Sequence, residues 1–325
     1  LPGGSLNGRV TCMQAAYGVL YIGGDFTQVY PPTTNVGYIV SWNGSSFATV
    51  GGGVSWTVYG MGYYNGSLIV SGGFGTAGAT PASQIAAWNN SSWSALGSGL
   101  NNSAPSGAIY PWAGELIVGG YFTQAGGQPA SYLAHWNGSS WSSFGGGTAA
   151  YVFAMANYYG RLTGGGSFNQ SLLGSASALN LAGWNGSNLA AYGTGVNGSV
   201  YALKSFKYSG LTGDYELVAG GLFTVAGGVA ATRIARYDID PIAAFPPPAW
   251  TAMGAGLNSA VYAIERFNNA TYAGGQFTFS GATPVSYIAQ YNASTNVWQA
   301  VGTGMNGAVR ALKVYNGYLY AGGDF

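Results

Sequence analysis

The chain has 325 residues, of which 57 are glycine; 15% are aromatic, only 5% are charged, and the formal net charge is +1. That length exceeds the usual limit of one core, so two domains or one modular array are expected, and the aromatic content argues against disorder. No basic patch exists to neutralise a run of phosphates, and no apolar run is long enough to span a bilayer, which argues against nucleic-acid binding and membrane insertion by this segment.

In chain order, the opening LPGGSLNG aligns with the end of a repeat unit, as in VGTGMNGA at 301–308. A removed leader, or a segment of a longer protein, is therefore expected. Cys12 lies in the apolar stretch VTCMQAA and reads as buried filler. A strand, LYIGG (20–24), runs into GGDF (23–26), and a second strand, YIVSW (38–42), leads into WNGSSF (42–47). The same order recurs downstream. GGF (72–74), WNNSSW (88–93) and WSALG (93–97) form the next unit. LIVGG (116–120), GGYF (119–122), YLAHW (132–136), WNGSSW (136–141) and WSSFG (141–145) form the third. GGSF (165–168) and WNGSNL (184–189) belong to the fourth, then VYALKSF (200–206), GGLF (220–223) and WTAMG (250–254) to the fifth. VYAIERF (261–267), GGQF (274–277) and YIAQY (287–291) follow, and VRALKVY (309–315), LYAGG (319–323) and GGDF (322–325) close the sequence.

The GG-x-F motif thus occurs seven times, at intervals of 49, 47, 46, 55, 54 and 48 residues. β-Branched and aromatic runs bounded by Gly and Asn read as strands, and no stretch carries a helical period. Each unit reads as four strands, a to d, the size of a propeller blade. Small residues on strand a (Gly60, Ala154, Ala202, Ala263, Ala311) fit a crowded innermost strand, and the paired glycines predict close backbone approach or positive φ.

These motifs resemble the repeats of Kelch and galactose-oxidase-like β-propellers, which place GG after the second strand and a tryptophan before the fourth. The GG-x-F, IAxW and W-x-x-x-G variants are most similar to repeats of large secreted or surface proteins such as the fungal cortical-marker family. The resemblance implies an all-β propeller of four-stranded antiparallel blades spanning residues 1–325 as a single domain. Strands a and b occur seven times, but c and d only six. The expected architecture is seven-bladed with one incomplete blade, completed by residues outside this segment or by a neighbouring molecule. A six-bladed ring with an extra hairpin is the alternative. An uncovered half-blade edge invites association.

The hexapeptide WNGSSW and its relatives join strand c to strand d, and Asn-Gly there predicts a tight hairpin with positive φ at both residues. The same residues spell the N-linked sugar acceptor N-x-S/T. Acceptors begin at Asn43, Asn65, Asn90, Asn101, Asn137, Asn169, Asn185, Asn197, Asn269 and Asn292, with Asn89 overlapping Asn90. Nine of these eleven lie in residues 1–199, whereas thirteen of the seventeen charged residues lie in 200–325. Sugars would keep soluble an aromatic-rich surface that lacks charge.

Chemistry-bearing groups are few. Asp25 and Asp324 share the GGDF position and are weighed as turn residues against an acid or metal pair. Asp238 and Asp240, in YDIDP beside Arg233 and Arg236 and before the proline-rich AAFPPPAW, are weighed as a solvated cluster against a calcium site. Lys204, Glu265 and Lys313 occupy equivalent places on strand a and read as cross-strand pairs or as channel ligand contacts. His135, the single histidine, has no evident partner in the sequence. It cannot supply the several histidines that galactose-oxidase-like copper chemistry requires, so the resemblance carries no activity and no cofactor is expected. The reading is an extracellular or cell-surface, non-enzymatic structural or adhesive glycoprotein, partnered by copies of itself or neighbouring surface proteins. A carbohydrate- or protein-binding module is the alternative.

Overall fold

A computed structural model describes residues 4–105, 108–168, 179–184, 186, 189–207, 215–238 and 249–325. The chain packs as two compact units, residues 1–147 with 310–325, and residues 148–309. Among the described residues every regular element is a strand.

The first unit holds three four-stranded antiparallel sheets, each a meander a-b-c-d in sequence order. They are Val10–Ala16, Val19–Gly24, Ile39–Trp42, Phe47–Thr49; Val58–Tyr64, Ser67–Gly72, Ile85–Trp88, Trp93–Ala95; and Ile109–Trp112, Glu115–Gly119, Leu133–Trp136, Trp141–Ser143. The hairpin Val309–Tyr315 and Tyr318–Gly323 stands with them as a two-stranded sheet. The second unit repeats the meander three times. Its sheets are Val152–Tyr158, Arg161–Gly166, Leu181–Trp184, Leu189–Ala190; Val200–Lys207, Tyr215–Gly221, Ile234–Asp238, Ala249–Ala252; and Val261–Phe267, Ala270–Gly275, Ile288–Asn292, Val297–Ala300.

The paired glycines work by close approach. Strand a carries a bulge after its first residue, as between Val10 and Cys12 or Val200 and Ala202. The bulge pushes strand a's backbone against the second glycine, so a Cβ on Gly24 would lie 1.9 Å from the Arg9 carbonyl oxygen. The first glycine faces the next sheet: a Cβ on Gly23 would meet Val58 and Met61, and one on Gly220 would meet Val261 and Ile264. In the second sheet the register corrects the motif by one residue, placing Ser71 where the first glycine stands. The phenylalanine that follows is buried in all six sheets (Phe26, Phe74, Phe122, Phe168, Phe223, Phe277). The small strand-a residues Ala154, Ala202, Ala263 and Ala311 are buried as crowding predicts.

The core lies between neighbouring sheets rather than within one. Met61, Val58 and Cys12 join Trp88 and Trp93 in one cluster, and Leu203, Val200 and Tyr158 join Tyr237 and Trp250 in another. Within the first unit the hairpin flanks the first sheet as the first flanks the second. Gly322 faces Val10 and Met13, and Tyr315 donates to the Gly18 carbonyl at 2.7 Å. Tyr64 makes the same bond to Gly114 at 3.2 Å, from the second sheet to the third.

Candidate functional sites

The c–d turn is a four-residue loop closed by a side chain, and this corrects the expected two-residue Asn-Gly hairpin. Trp42 pairs with Phe47, Trp88 with Trp93 and Trp136 with Trp141. Only the glycine has positive φ, 104° at Gly44 and 102° at Gly138. The asparagine instead folds an Asx turn: Asn137 Oδ1 accepts the Ser139 and Ser140 amides, both at 2.9 Å, and Asn43 and Asn89 do the same. The two-residue turn with both φ positive is found between strands a and b, at Tyr17–Gly18, Asn65–Gly66 and Asn316–Gly317.

The sugar-acceptor asparagines fall in three settings. Asn43, Asn89 and Asn137 are exposed in c–d turns, and Asn292 takes the same turn half-buried. Asn65 and Asn269 are exposed in a–b turns. Asn90 replaces the turn glycine at φ 74°, and its Oδ1 accepts the Tyr21 hydroxyl at 3.2 Å. Asn101 and Asn197 lie in the d–a linkers and clamp the next sheet. Asn101 Oδ1 accepts the Thr123 and Gln124 amides, both at 2.9 Å, and its Nδ2 donates to the Thr123 hydroxyl at 3.0 Å. Asn197 makes the same three bonds to Thr224 and Val225. Asn169 and Asn185 lie outside the described residues.

The clamp escapes a search for acceptor sequences because it belongs to the fold. Asn7 and Asn258, in no acceptor sequence, make it as well, to Thr27–Gln28 and Thr278–Phe279. The recurring Asn after Leu or Val, and the Phe-Thr step, are the sequence signals that mark it. A second tie is the strand-d tryptophan. Its indole N–H donates to a carbonyl ending the preceding sheet: Trp93 to Val50, Trp141 to Leu96, Trp250 to Tyr192 and Trp298 to Met253, at 2.7 to 3.3 Å.

Five of the six described carboxylates sit in ion pairs with lysine or arginine, and the sixth, Glu115, meets His135. Asp25 is held by Arg9 at 2.8 Å and Asp324 by Arg310 at 2.6 Å, and Arg9 also reaches Asp324 at 3.8 Å. The two acids therefore converge on a guanidinium, the partner that the weighing of turn against acid pair left out. Lys204 meets Glu265 at 3.1 Å, as cross-strand pairing predicts, while Lys313 donates to Gln14 at 3.3 Å. His135 has the partner that the sequence did not reveal: Nδ1 lies 2.6 Å from Glu115 Oε2, with the imidazole edge-on to Phe144. Cys12 is fully buried, and burial pushes its thiol up to about 12.

A further cluster joins the fifth and sixth sheets. Glu216 and Asp238 are direct cross-strand partners, an arrangement that like charges would oppose. Arg236, two residues before Asp238, shares their face and approaches Asp238 at 3.2 Å and Glu216 at 3.9 Å. Arg266 of the sixth sheet, bonded to Thr271 beside it, crosses to bind Glu216 and stacks 4.4 Å over the Phe206 ring. Glu216 is only 2% exposed. Burial lifts the Asp238 carboxyl above its ordinary range, with Arg236 opposing the shift and Glu216 reinforcing it. Asp240 and the prolines lie outside the described residues. Among the described residues no three His, Cys, Asp or Glu side chains converge as a metal site.

Residues 234–325 match the family model described as the Rax2 C-terminal β-propeller domain, and residues 114–134 match a β-propeller domain of unknown function. No curated protein sequence matches the chain. Two solved structures are similar in fold. The WD40 β-propeller domain of Doa1 aligns with a TM-score of 0.57 at 12% identity, over 98% of this chain and 91% of that one. The computationally designed Ika8 protein aligns with the same score at 15% identity, over 98% and 96%. At those identities the likeness speaks for fold alone. With its repeated antiparallel four-stranded sheets, the chain is a β-propeller built of propeller-type repeats, and residues 234–325 are similar to the Rax2 C-terminal propeller.

Proposed function

We propose that the chain is an extracellular, non-enzymatic module of a structural or adhesive glycoprotein, joined into a surface coat or filament by strand completion between neighbouring modules. One observation carries this reading. The acceptor asparagines Asn43, Asn89 and Asn137 stand exposed in turns of a segment, residues 1–199, whose only charged residues are Arg9, Asp25, Glu115 and Arg161. Strands of the c and d pattern from a neighbouring module, added to a blade edge, would join such modules. Such a contact is head-to-tail, and it builds an open filament when the rotation does not close. The match to a Rax2 propeller supports a cell-surface setting. Carboxylates held in ion pairs suit a role without acid–base chemistry.

Cryo-electron microscopy of native, unproteolysed material tests the proposal. Regular assemblies in which a neighbour's strands complete a blade are expected. Isolated modules whose edge is covered by their own chain would overturn the filament. A second reading, a carbohydrate-binding module, draws on the aromatic row Phe153–Tyr201–Tyr262, whose rings follow one another at 5.4 and 5.7 Å beside the exposed Tyr151. Tyrosine faces of this kind stack on sugar rings. A glycan array should then show binding that Tyr201→Ala abolishes, and silence across the array would remove the reading.

A further inference from the structure

We infer that the acceptor asparagines divide by the use of their amides: Asn43, Asn89 and Asn137 carry N-linked sugar, whereas Asn101, Asn197 and Asn90 stay bare. The inference rests on the glycoprotein part of the reading above. In Asn101 and Asn197 one carboxamide meets one threonine at two points, with Oδ1 taking its amide N–H and Nδ2 giving a hydrogen to its hydroxyl. A two-point contact with a single residue uses the N–H on the same side as Oδ1. A glycosylated asparagine is a secondary amide, and the favoured trans form puts the sugar carbon at that position. Sugar and clamp therefore compete for one site.

The clamp is part of the frame. A backbone bond accompanies it, from Asn101 N to Gln124 O at 3.2 Å and from Asn197 N to Val225 O at 3.1 Å, so each linker is fastened to the following loop through both backbone and side chain. Asn7 and Asn258 hold the same place without an acceptor sequence, so the residue serves the fold there and the acceptor pattern at 101 and 197 is incidental.

The c–d turns are different. Their Oδ1 atoms close a turn of exposed residues. Asn137 also makes a two-point contact, to Ser140, but within its own turn three residues away and not to a segment 22 residues off as at Asn101, and the turns of Asn43 and Asn89 close through Oδ1. Of the overlapping pair, Asn89 is the turn former, while Asn90 accepts the Tyr21 hydroxyl. The transfer forms a bond from Nδ2 to the sugar's anomeric carbon. It breaks that carbon's bond to the diphosphate of an activated glycosyl donor and releases one amide proton.

The test is glycopeptide mapping of the folded chain secreted from a eukaryotic host, with acceptor hydroxyls removed singly. Ser45→Ala, Ser91→Ala and Ser139→Ala should each lower the intact mass by one glycan, and Ser92→Ala, Ser103→Ala and Ser199→Ala by none. Sugar on Asn101 or Asn197, or on Asn90 in place of Asn89, would overturn the division. A chain bare at every acceptor would instead overturn the glycoprotein reading itself.

Discussion

The two units are built on one repeat yet fasten neighbouring sheets differently. In residues 4–147 with 310–325, the buried clusters between sheets hold uncharged side chains, and the charged pairs Arg9–Asp25 and Arg310–Asp324 stay at the surface with side chains 31 to 43% exposed. In residues 148–309 a buried glutamate is held by two arginines, and a tyrosine cluster (Tyr158, Tyr192, Tyr237) meets edge to face at 5.1 to 6.1 Å. The lesson is that the strand-a bulge, the GG-x-F phenylalanine and the tryptophan tie set the geometry. The side chains left over between sheets are then free to be apolar, aromatic or ionic.

The largest effect should come from breaking the ionic side of that contrast. Glu216→Ala leaves Arg266 and Arg236 without their buried partner and should cost about 3–5 kcal/mol in chemical denaturation. Asp25→Ala, at an exposed pair, should cost about 1 kcal/mol or less. Equal losses from the two would erase the distinction between the units.

The shared frame predicts sameness instead. Phe122→Ala and Phe223→Ala, at one position in different units, should each cost about 3–5 kcal/mol. Cys12 sharpens the comparison because its buried, protonated thiol reports on the first unit. Phe122→Ala should accelerate its labelling by a thiol reagent, and equal acceleration by Phe223→Ala would show both units opening as one.

A smaller change is expected from Trp141→Phe and Trp250→Phe. Each keeps most of its ring packing and loses the indole bond, to Leu96 at 2.7 Å or Tyr192 at 2.9 Å. The loss should be about 1–2 kcal/mol in either unit, read by thermal unfolding. A tie that mattered in one unit alone would show a clear difference between the variants.

The smallest effect is a pH dependence confined to the second unit. The folded Asp238 carboxyl titrates above its ordinary value of 3.8, so the native state holds its proton longer than the unfolded chain. Its contribution to stability is thus present below the unfolded value and lost as pH rises through the folded one. Asp238→Asn should gain on the parent as pH climbs through that window, in denaturation curves taken at successive pH values. A difference that stays flat with pH would remove Asp238 from the account.

Much of the fold was legible in the residues, because its signals are local. Strand patterns, GG-x-F spacing and turn residues act within a few positions, so strands such as Val261–Phe267 and Val309–Tyr315 could be delimited from the sequence. The candidate sites were less so. Lys204–Glu265 followed from equivalent places on strand a, but the Glu115–His135 pair depends on a register between strands that no spacing states. Glu216 shows no role in the sequence because its partner Arg266 lies 50 residues away on another sheet.

By itself the sequence determined an all-β repeat with paired glycines, a buried phenylalanine and asparagine-rich turns, since each depends on backbone freedom or side-chain size at one place. Only the tertiary structure decided what the asparagines do. Asn137 and Asn101 read alike as acceptors, yet one closes its own turn and the other holds the next sheet. The difference comes from which amides lie within hydrogen-bond reach, and packing between sheets alone sets that distance.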